Sequence, residues 1–396
     1  MLSKRAGEAR PSPTLAIDVK AKALQASGVD VVNLGVGEPD FDTPAHVREA
    51  AIKAINEGFT RYTPAGGIVA LKEAVADKLK ADNGLSYPPS EIVVSCGAKH
   101  SLYNIAQALY GAGDEVLIPA PYWVSYPDQV MLNDAKPVFV PTMDEDGFML
   151  RPGALEPFIT KSTKAIILNS PSNPTGGVYN RGALEAVAET ALRHNLFIIS
   201  DEIYEKLVYG GAEHISIASL SPAVKARTLV VNGLSKSHAM TGWRIGYAAG
   251  PKYIIDAMTN IQSQSTSNPN SIAQKAAIAA LRGPQDFIAM MHGEFDARRK
   301  YLVDALNKIP GFDCRPPAGA FYAFPRIEAL LGKRAGDRQI NSSSDLALYL
   351  LEAGRVALVA GSAFGDDRFI RLSYATSMKN LEKAVTRIGE AVARLA

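Results

Sequence analysis

Two stretches decide how this chain folds: Leu196-Phe-Ile-Ile-Ser-Asp-Glu-Ile-Tyr204 and Thr228-Leu-Val-Val-Asn-Gly-Leu-Ser-Lys236. Each is a short apolar run that ends abruptly in polar residues, and longer segments of helical period, such as 101–109 and 181–194, lie between runs of this kind. That alternation marks parallel strands joined by crossover helices. Further runs at 91–95, 115–118, 137–140, 165–168 and 245–248 bring the predicted strands to seven, which makes one large, mostly parallel α/β sheet. Turn signals separate them, including Pro119 with Pro121 and the stretch from Pro171 to Gly177.

After Asn270 the pattern changes. Residues 271–281 and 284–309 read as helices, and the second is long and charged along one side, which predicts a crossing into another unit. Strands at 319–324, 357–360 and 369–374 and an amphipathic helix at 379–395 then form a smaller α+β unit. A helix at 15–26 and a strand at 31–34 are too little for a domain and are expected to join it. The predicted division is a large cofactor-binding domain, 45–285, and a small domain built from 1–44 with 286–396.

The chain has 396 residues, 47% of them hydrophobic, with 42 Lys+Arg against 40 Asp+Glu and a net charge of +2. Such near-neutrality argues against nucleic-acid or anionic-membrane binding as the main task, since both need a basic excess. Small molecules are the expected partners. Two cysteines, Cys96 and Cys314, make no disulfide framework or thiolate zinc site, and the six histidines form no His-x-x-x-His pair. No apolar run approaches the ~20 residues of a membrane span and no leader-like segment opens the chain, so a cytoplasmic protein is expected.

Ligands of an open parallel sheet bind beyond the carboxyl ends of its strands. There the sequence places Asp201 and Tyr204, Lys236 in a small-residue turn, and Asn173 in a proline-bracketed loop. Ile-Val-Val-Ser-Cys-Gly-Ala-Lys, ahead of a helix, sets backbone N–H groups around Gly97, Ala98 and Lys99 at a helix N-terminus, a good place for a phosphate. A lysine, a carboxylate, a tyrosine and a phosphate cradle are what pyridoxal 5'-phosphate needs. The lysine forms a Schiff base, Asp201 keeps the pyridine nitrogen protonated, and Tyr204 and Asn173 suit the phenolic oxygen. Trp123 offers a flat face to the ring.

In order along the chain stand Gly-Glu-Pro-Asp-Phe-Asp-Thr-Pro (37–44), Pro-Tyr-Trp-Val-Ser-Tyr-Pro (121–127), Asn-Ser-Pro-Ser-Asn-Pro-Thr-Gly (169–176), Ser-Lys-Ser-His-Ala-Met-Thr-Gly-Trp-Arg-Ile-Gly-Tyr (235–247) and Arg-Leu-Ser-Tyr-Ala (371–375). With these motifs the chain resembles the class I aminotransferases of the fold-type-I pyridoxal-phosphate superfamily, specifically the bacterial aspartate aminotransferase subgroup, from about Pro11 onward. The resemblance implies Lys236 as Schiff-base and proton-shuttling lysine and Asp201 as pyridinium partner. It places Ser235 and Arg244 beside the cofactor, with Arg244 on the phosphate. Arg371 would grip the substrate α-carboxylate by its planar fork, with Asn173, Trp123 and Gly37 lining the same site. Tyr62 matches the tyrosine sent into a partner subunit's site, which implies a homodimer. Lys99 would face the distal carboxylate of a dicarboxylic substrate, under a closing segment that carries Arg10, Ser12 and Thr14. One departure is Gly233, where many relatives carry a phosphate-binding serine.

The implied activity is ping-pong transfer of an amino group between L-aspartate and 2-oxoglutarate. Two alternatives share these residues: a glutamate/aspartate-prephenate aminotransferase, and a β-lyase on the same fold. Taken singly, each signal has a plainer reading. Lys236 reads as a solvated loop lysine, Asp201 as an N-cap, Arg371 as a surface ion pair, and Trp123 and Tyr126 as core aromatics. Gly35-Val-Gly37 opens like a dinucleotide fingerprint but lacks its third glycine and following helix. Cys96 reads as buried packing, and His238 as structural or peripheral.

Overall fold

The computed structural model describes residues 4–8 and 13–396, except for the side chains of residues 4, 8 and 13–16. Its centre is a seven-stranded sheet of β1 (Ile92–Ser95), β2 (Glu115–Ala120), β3 (Lys136–Pro141), β4 (Thr163–Asn169), β5 (Phe197–Asp201), β6 (Thr228–Gly233) and β7 (Gly246–Ala249). The strand order is β1-β7-β6-β5-β4-β2-β3. Each predicted strand lies within two residues of its observed ends. The central strands are apolar along their whole length because helices cover both faces of the sheet. Helices Ala45–Asn56, Val69–Asn83 and Ser271–Arg282 bury Val47, Leu71 and Ala276 on one face. Helices Ala98–Leu109 and Lys252–Ser265 bury Leu102 and Ile254 on the other.

One strand runs backwards. β7 is antiparallel to both β1 and β6, whereas the pairs β6–β5, β5–β4, β4–β2 and β2–β3 are parallel. The start of β7 therefore lies at the same edge as the carboxyl ends of the other six. Ser95, Gly233 and Gly246 sit side by side in register there. A residue just before β7 joins the cluster of residues just after its neighbours.

A second core gathers Val32 and Leu34 with Phe295, Leu302, Leu350, Leu372 and Ile388. The strand Val32–Asn33 pairs in parallel with Val356–Ala357, and the Ser373 N–H bonds the Leu34 carbonyl at 2.7 Å. The helix expected at 284–309 spans Asp286–Leu306, and that expected at 379–395 spans Met378–Val392, capped by the Ser377 side chain on the Asn380 N–H. Two expected strands differ more. The run 319–324 contributes only Tyr322–Ala323. The run 357–360 breaks at the fully buried Leu358, because Val356–Ala357 pairs with the N-terminal strand while Val359–Ala360 pairs with Ile370–Ser373.

The close approach of β7 to the helix Ala98–Leu109 requires glycine at 246, where a Cβ would lie 2.1 Å from the Ala98 nitrogen. Gly246→Ala is expected to lower stability by about 1–3 kcal/mol, the usual cost of overpacking against backbone. A urea-unfolding midpoint checks this, and an unchanged midpoint would show that the helix can move away.

Candidate active site

The edge where these strand ends meet opens into a cavity of about 390 Å³, lined among others by Gly37, Lys99, Trp123, Asn173, Asp201, Tyr204, Ser235, Lys236, Arg244 and Arg371. Motifs up to 334 residues apart in the chain, from Gly37 to Arg371, thus share one space.

Asp201 ends β5 and is buried. It accepts a 2.7 Å hydrogen bond from Tyr126 Oη and a 3.3 Å bond from the Ile203 N–H. Burial pushes its carboxyl up to about 6, even though both hydrogen bonds act to lower it. Glu202, on the opposite side of the strand, takes bonds from Ser200 and Ser216 and pairs with His214, which anchors the strand end from behind.

Lys236 follows β6, and its Nζ donates to the Gly37 carbonyl. Burial pushes this amine down to about 8; Glu38 opposes the shift, and Arg244 and Arg371 reinforce it. An amine of this pKa is part neutral near pH 7 to 8, as a nucleophile or base must be. Tyr204 is buried against Tyr322, hydroxyl to hydroxyl at 2.8 Å.

The helix Ala98–Leu109 begins at the cavity. Its His100 and Ser101 N–H groups bond back to the Gly97 carbonyl, so the Ala98 and Lys99 amides lie ahead of the first intrahelical bonds. Arg244, just before the reversed strand, sends Nη2 to the Cys96 carbonyl at 3.3 Å and Nη1 to the Thr241 carbonyl at 2.8 Å. A Cβ on Gly97 would fall 2.2 Å from this guanidinium. Positive charge and helix amides converge on one spot.

Arg371 comes from the antiparallel strand Ile370–Ser373 and is 2% exposed. It donates to Asn173 Oδ1 at 2.8 Å and to the Gly35 carbonyl at 2.6 Å, and its guanidinium stacks 4.5 Å from the Tyr322 ring. Among the described residues no carboxylate forms an ion pair with it, and its Nε is buried without a hydrogen-bond partner. Asn173 is itself held by its N–H on Asn169 Oδ1 at 2.8 Å. Lys99 stands exposed at the rim with Nζ 4.9 Å above the half-buried Trp123 ring.

Tyr62 lies outside the cavity and is 89% exposed. Arg10, Ser12 and the Thr14 side chain lie outside the described residues. Cys96 differs from its expected burial: it is half-buried, because it occupies the turn between β1 and the helix rather than the strand itself. His238 is buried, shares a 2.8 Å hydrogen bond with Ser237 Oγ, and does not line the cavity. Gly233 packs with a built Cβ 3.0 Å from the Gly246 Cα, so the reversed strand leaves a serine side chain little room there.

Two residues of the site went unassigned at the level of sequence. Tyr126, read as a core aromatic, is the hydrogen-bond donor to Asp201, and its ring packs edge-on against that of Trp123, centroids 5.3 Å apart. Tyr322 carried no polar signal, since its flanks Ala320, Phe321 and Ala323 are those of a core strand.

The family model for aminotransferase class I and II matches residues 29–388. An aspartate aminotransferase of Geobacillus stearothermophilus is 55% identical over 387 residues, 98% of each chain. An aspartate/prephenate aminotransferase of Nitrosomonas europaea is 49% identical over 390 residues, again 98% of each. The solved structure of Thermus thermophilus aspartate aminotransferase with maleate superposes with a TM-score of 0.93 at 43% identity, covering 99% of both chains. Similarity of this extent, carried by sequence and fold together along nearly the whole length, places the chain in the class I and II aminotransferase family.

Proposed function

We propose that the protein is an aspartate aminotransferase that uses pyridoxal 5'-phosphate and moves an amino group between L-aspartate and 2-oxoglutarate in two half-reactions. The observation that carries this reading is Arg371, a buried guanidinium facing the cavity with only neutral acceptors and one unpaired N–H. A buried cation without a counter-ion is a socket for an anion, and its fork suits a carboxylate.

The residues fit the cofactor. Asp201 would hold the ring nitrogen, Tyr204 and Asn173 the phenolic oxygen, and Trp123 a ring face. The amides of Ala98 and Lys99, with Ser235, Arg244 and the partner subunit's copy of exposed Tyr62, would hold the phosphate, and Lys236 Nζ would carry the covalent link; the Gly97 N–H, expected to join them, already bonds the Ser95 carbonyl at 2.7 Å in the tight turn out of β1. Bound there, the cofactor supplies a carbonyl that exchanges with amines and a ring that delocalises the charge left on the substrate Cα. Once exchange with the substrate amine has freed it, Lys236 Nζ would take the proton from that Cα, a task its lowered pKa suits. Arg371, with Asn173 and Gly37, holds the α-carboxylate so that the Cα–H faces this amine.

Lys99 would read the distal carboxylate, and the maleate named with the Thermus structure is a dicarboxylate of similar span. The segment 1–44 with 286–396 would act as the domain that closes over the substrate, its Arg10, Ser12 and Thr14 reaching the distal end. The Nitrosomonas relative makes prephenate, with its two carboxylates, the second candidate acceptor for the same two cations. Among the described residues no helix is long and apolar enough to cross a membrane. The protein would act in the cytoplasm as a homodimer, in which the exposed Tyr62 of each protomer could enter the site of the other.

The absorbance spectrum of the purified protein tests the reading. A visible band is expected that bleaches with aspartate and returns with 2-oxoglutarate; a band that aspartate leaves unchanged would shift the assignment to prephenate with glutamate, or to a lyase that releases ammonia without an oxo-acid acceptor. Lys99→Ala is expected to raise KM for aspartate roughly 10- to 100-fold, the value of one charged hydrogen bond, and to leave alanine turnover as it was. Equal losses for both substrates would show that Lys99 does not read the distal group.

Asp201 also makes a stability prediction. Its folded-state carboxyl titrates at about 6, above the unfolded value near 3.9, so the unfolded chain binds fewer protons between the two. Its stabilising contribution is full below about pH 4 and falls as pH rises through 6. Cofactor-free Asp201→Asn protein is therefore expected to exceed the parent by on the order of 1–3 kcal/mol at pH 8 and to match it at pH 4. Urea unfolding at the two pH values measures the difference.

A further inference from the structure

The aminotransferase assignment gives Tyr204 a cofactor oxygen to bond and gives Tyr322 no part; the role inferred for Tyr322 rests on that assignment. Tyr322 is 1% exposed on its short strand, and its hydroxyl lies 2.8 Å from that of Tyr204. A pair of hydroxyls at this distance shares one hydrogen bond, and its direction decides which proton is left over. We propose that Tyr322 is a positioning residue that donates its proton to Tyr204 Oη and so turns the Tyr204 proton into the cavity, toward the cofactor's phenolic oxygen.

Three observations carry the direction. First, among the described residues neither hydroxyl makes any other hydrogen bond, so Tyr204 is the acceptor the structure offers to the Tyr322 proton. Second, Gly37 packs against the Tyr322 oxygen, so closely that a Cβ built on it would lie 2.3 Å away, and makes no hydrogen bond with it. Third, the Arg371 guanidinium lies 4.5 Å over the Tyr322 ring. A cation over a phenol favours its charged form and makes its O–H the better donor. Burial raises both phenols, and the Arg371 charge opposes the rise at Tyr322.

Donors in series strengthen one another. Tyr322 thereby connects the arginine assigned to the substrate carboxylate with the tyrosine assigned to the cofactor, through one shared hydrogen bond. The charged and titratable groups facing Tyr204 are Tyr322 and Arg371 from the C-terminal strands, Asp201 from β5, Tyr126 from the short helix after Trp123, and Lys236, whose Nζ lies 5.9 Å from its ring. Of these, only Tyr322 touches the Tyr204 hydroxyl.

The test tracks the visible band of the cofactor-loaded protein across pH and reads the midpoint of its colour change. Tyr322→Phe keeps the ring beneath Arg371 and removes only the donor. A weaker Tyr204 donor leaves the phenolic oxygen more basic, so the midpoint is expected to rise by on the order of half a pH unit or more. Gly37→Ala provides a second route: its Cβ displaces the Tyr322 hydroxyl without deleting it, and the same upward shift is expected. In a Tyr204→Phe background, adding Tyr322→Phe is expected to move the midpoint no further. Parent-like midpoints in both single variants would overturn the proposal. So would a raised KM for carboxylates with an unmoved midpoint, since Tyr322 would then serve only as the floor under Arg371. Absence of any visible band in the parent protein would be a different failure, that of the cofactor reading itself, and this proposal would fall with it.

Discussion

The arrangement turns on a charge kept out of water. Burying a guanidinium without a counter-ion has an effective penalty of several kcal/mol, yet Arg371 is met by an amide oxygen, a backbone carbonyl and two aromatic faces, those of Tyr322 and Phe364. These contacts lower the penalty without neutralising the charge. Much of the neighbouring structure serves to hold the contacts still. Asn173 is tied to Asn169, which in turn donates to the Asp201 carbonyl, so the buried guanidinium and the end of β5 share one hydrogen-bond chain. Unmet charge of this kind is how a binding site keeps electrostatic energy in reserve for its ligand.

The reversed strand β7 solves a separate problem. A purely parallel sheet delivers to its active edge only residues that follow strands. With one strand turned round, the edge also receives a residue that precedes a strand, and Arg244 comes to lie against the Gly97 turn. The cost is steric crowding, and small residues at 233 and 246 absorb it.

Much of this was legible in the sequence. Seven apolar runs with polar ends located the sheet and its active edge, because strands covered on both faces lose the alternation of half-buried ones and become continuous blocks. Asp201, Lys236 and Asn173 stood out because each follows such a block directly. Arg371 and Arg244 were legible only through resemblance: one comes from a different sheet, and the other precedes its strand, so neither obeys the rule that picked out the rest. Tyr322 was hidden for a different reason. Its importance lies in a partner 118 residues away, and periodicity cannot tell a phenol with a task from one that only fills space. The half-burial of Cys96 was missed because a turn of two residues decides it, below the resolution of an apolar pattern.

The hydrogen bond from Arg371 to the Gly35 carbonyl spans 336 residues of chain. During synthesis, which proceeds from the N-terminus at about 5–20 residues per second, all seven strands of the sheet, the last ending at Ala249, are made before the buried cation at 371. A nascent chain on the ribosome therefore carries Asp201, Lys236 and Arg244 well before Arg371 arrives, and the walls of one cavity are separated in time by the length of chain between them.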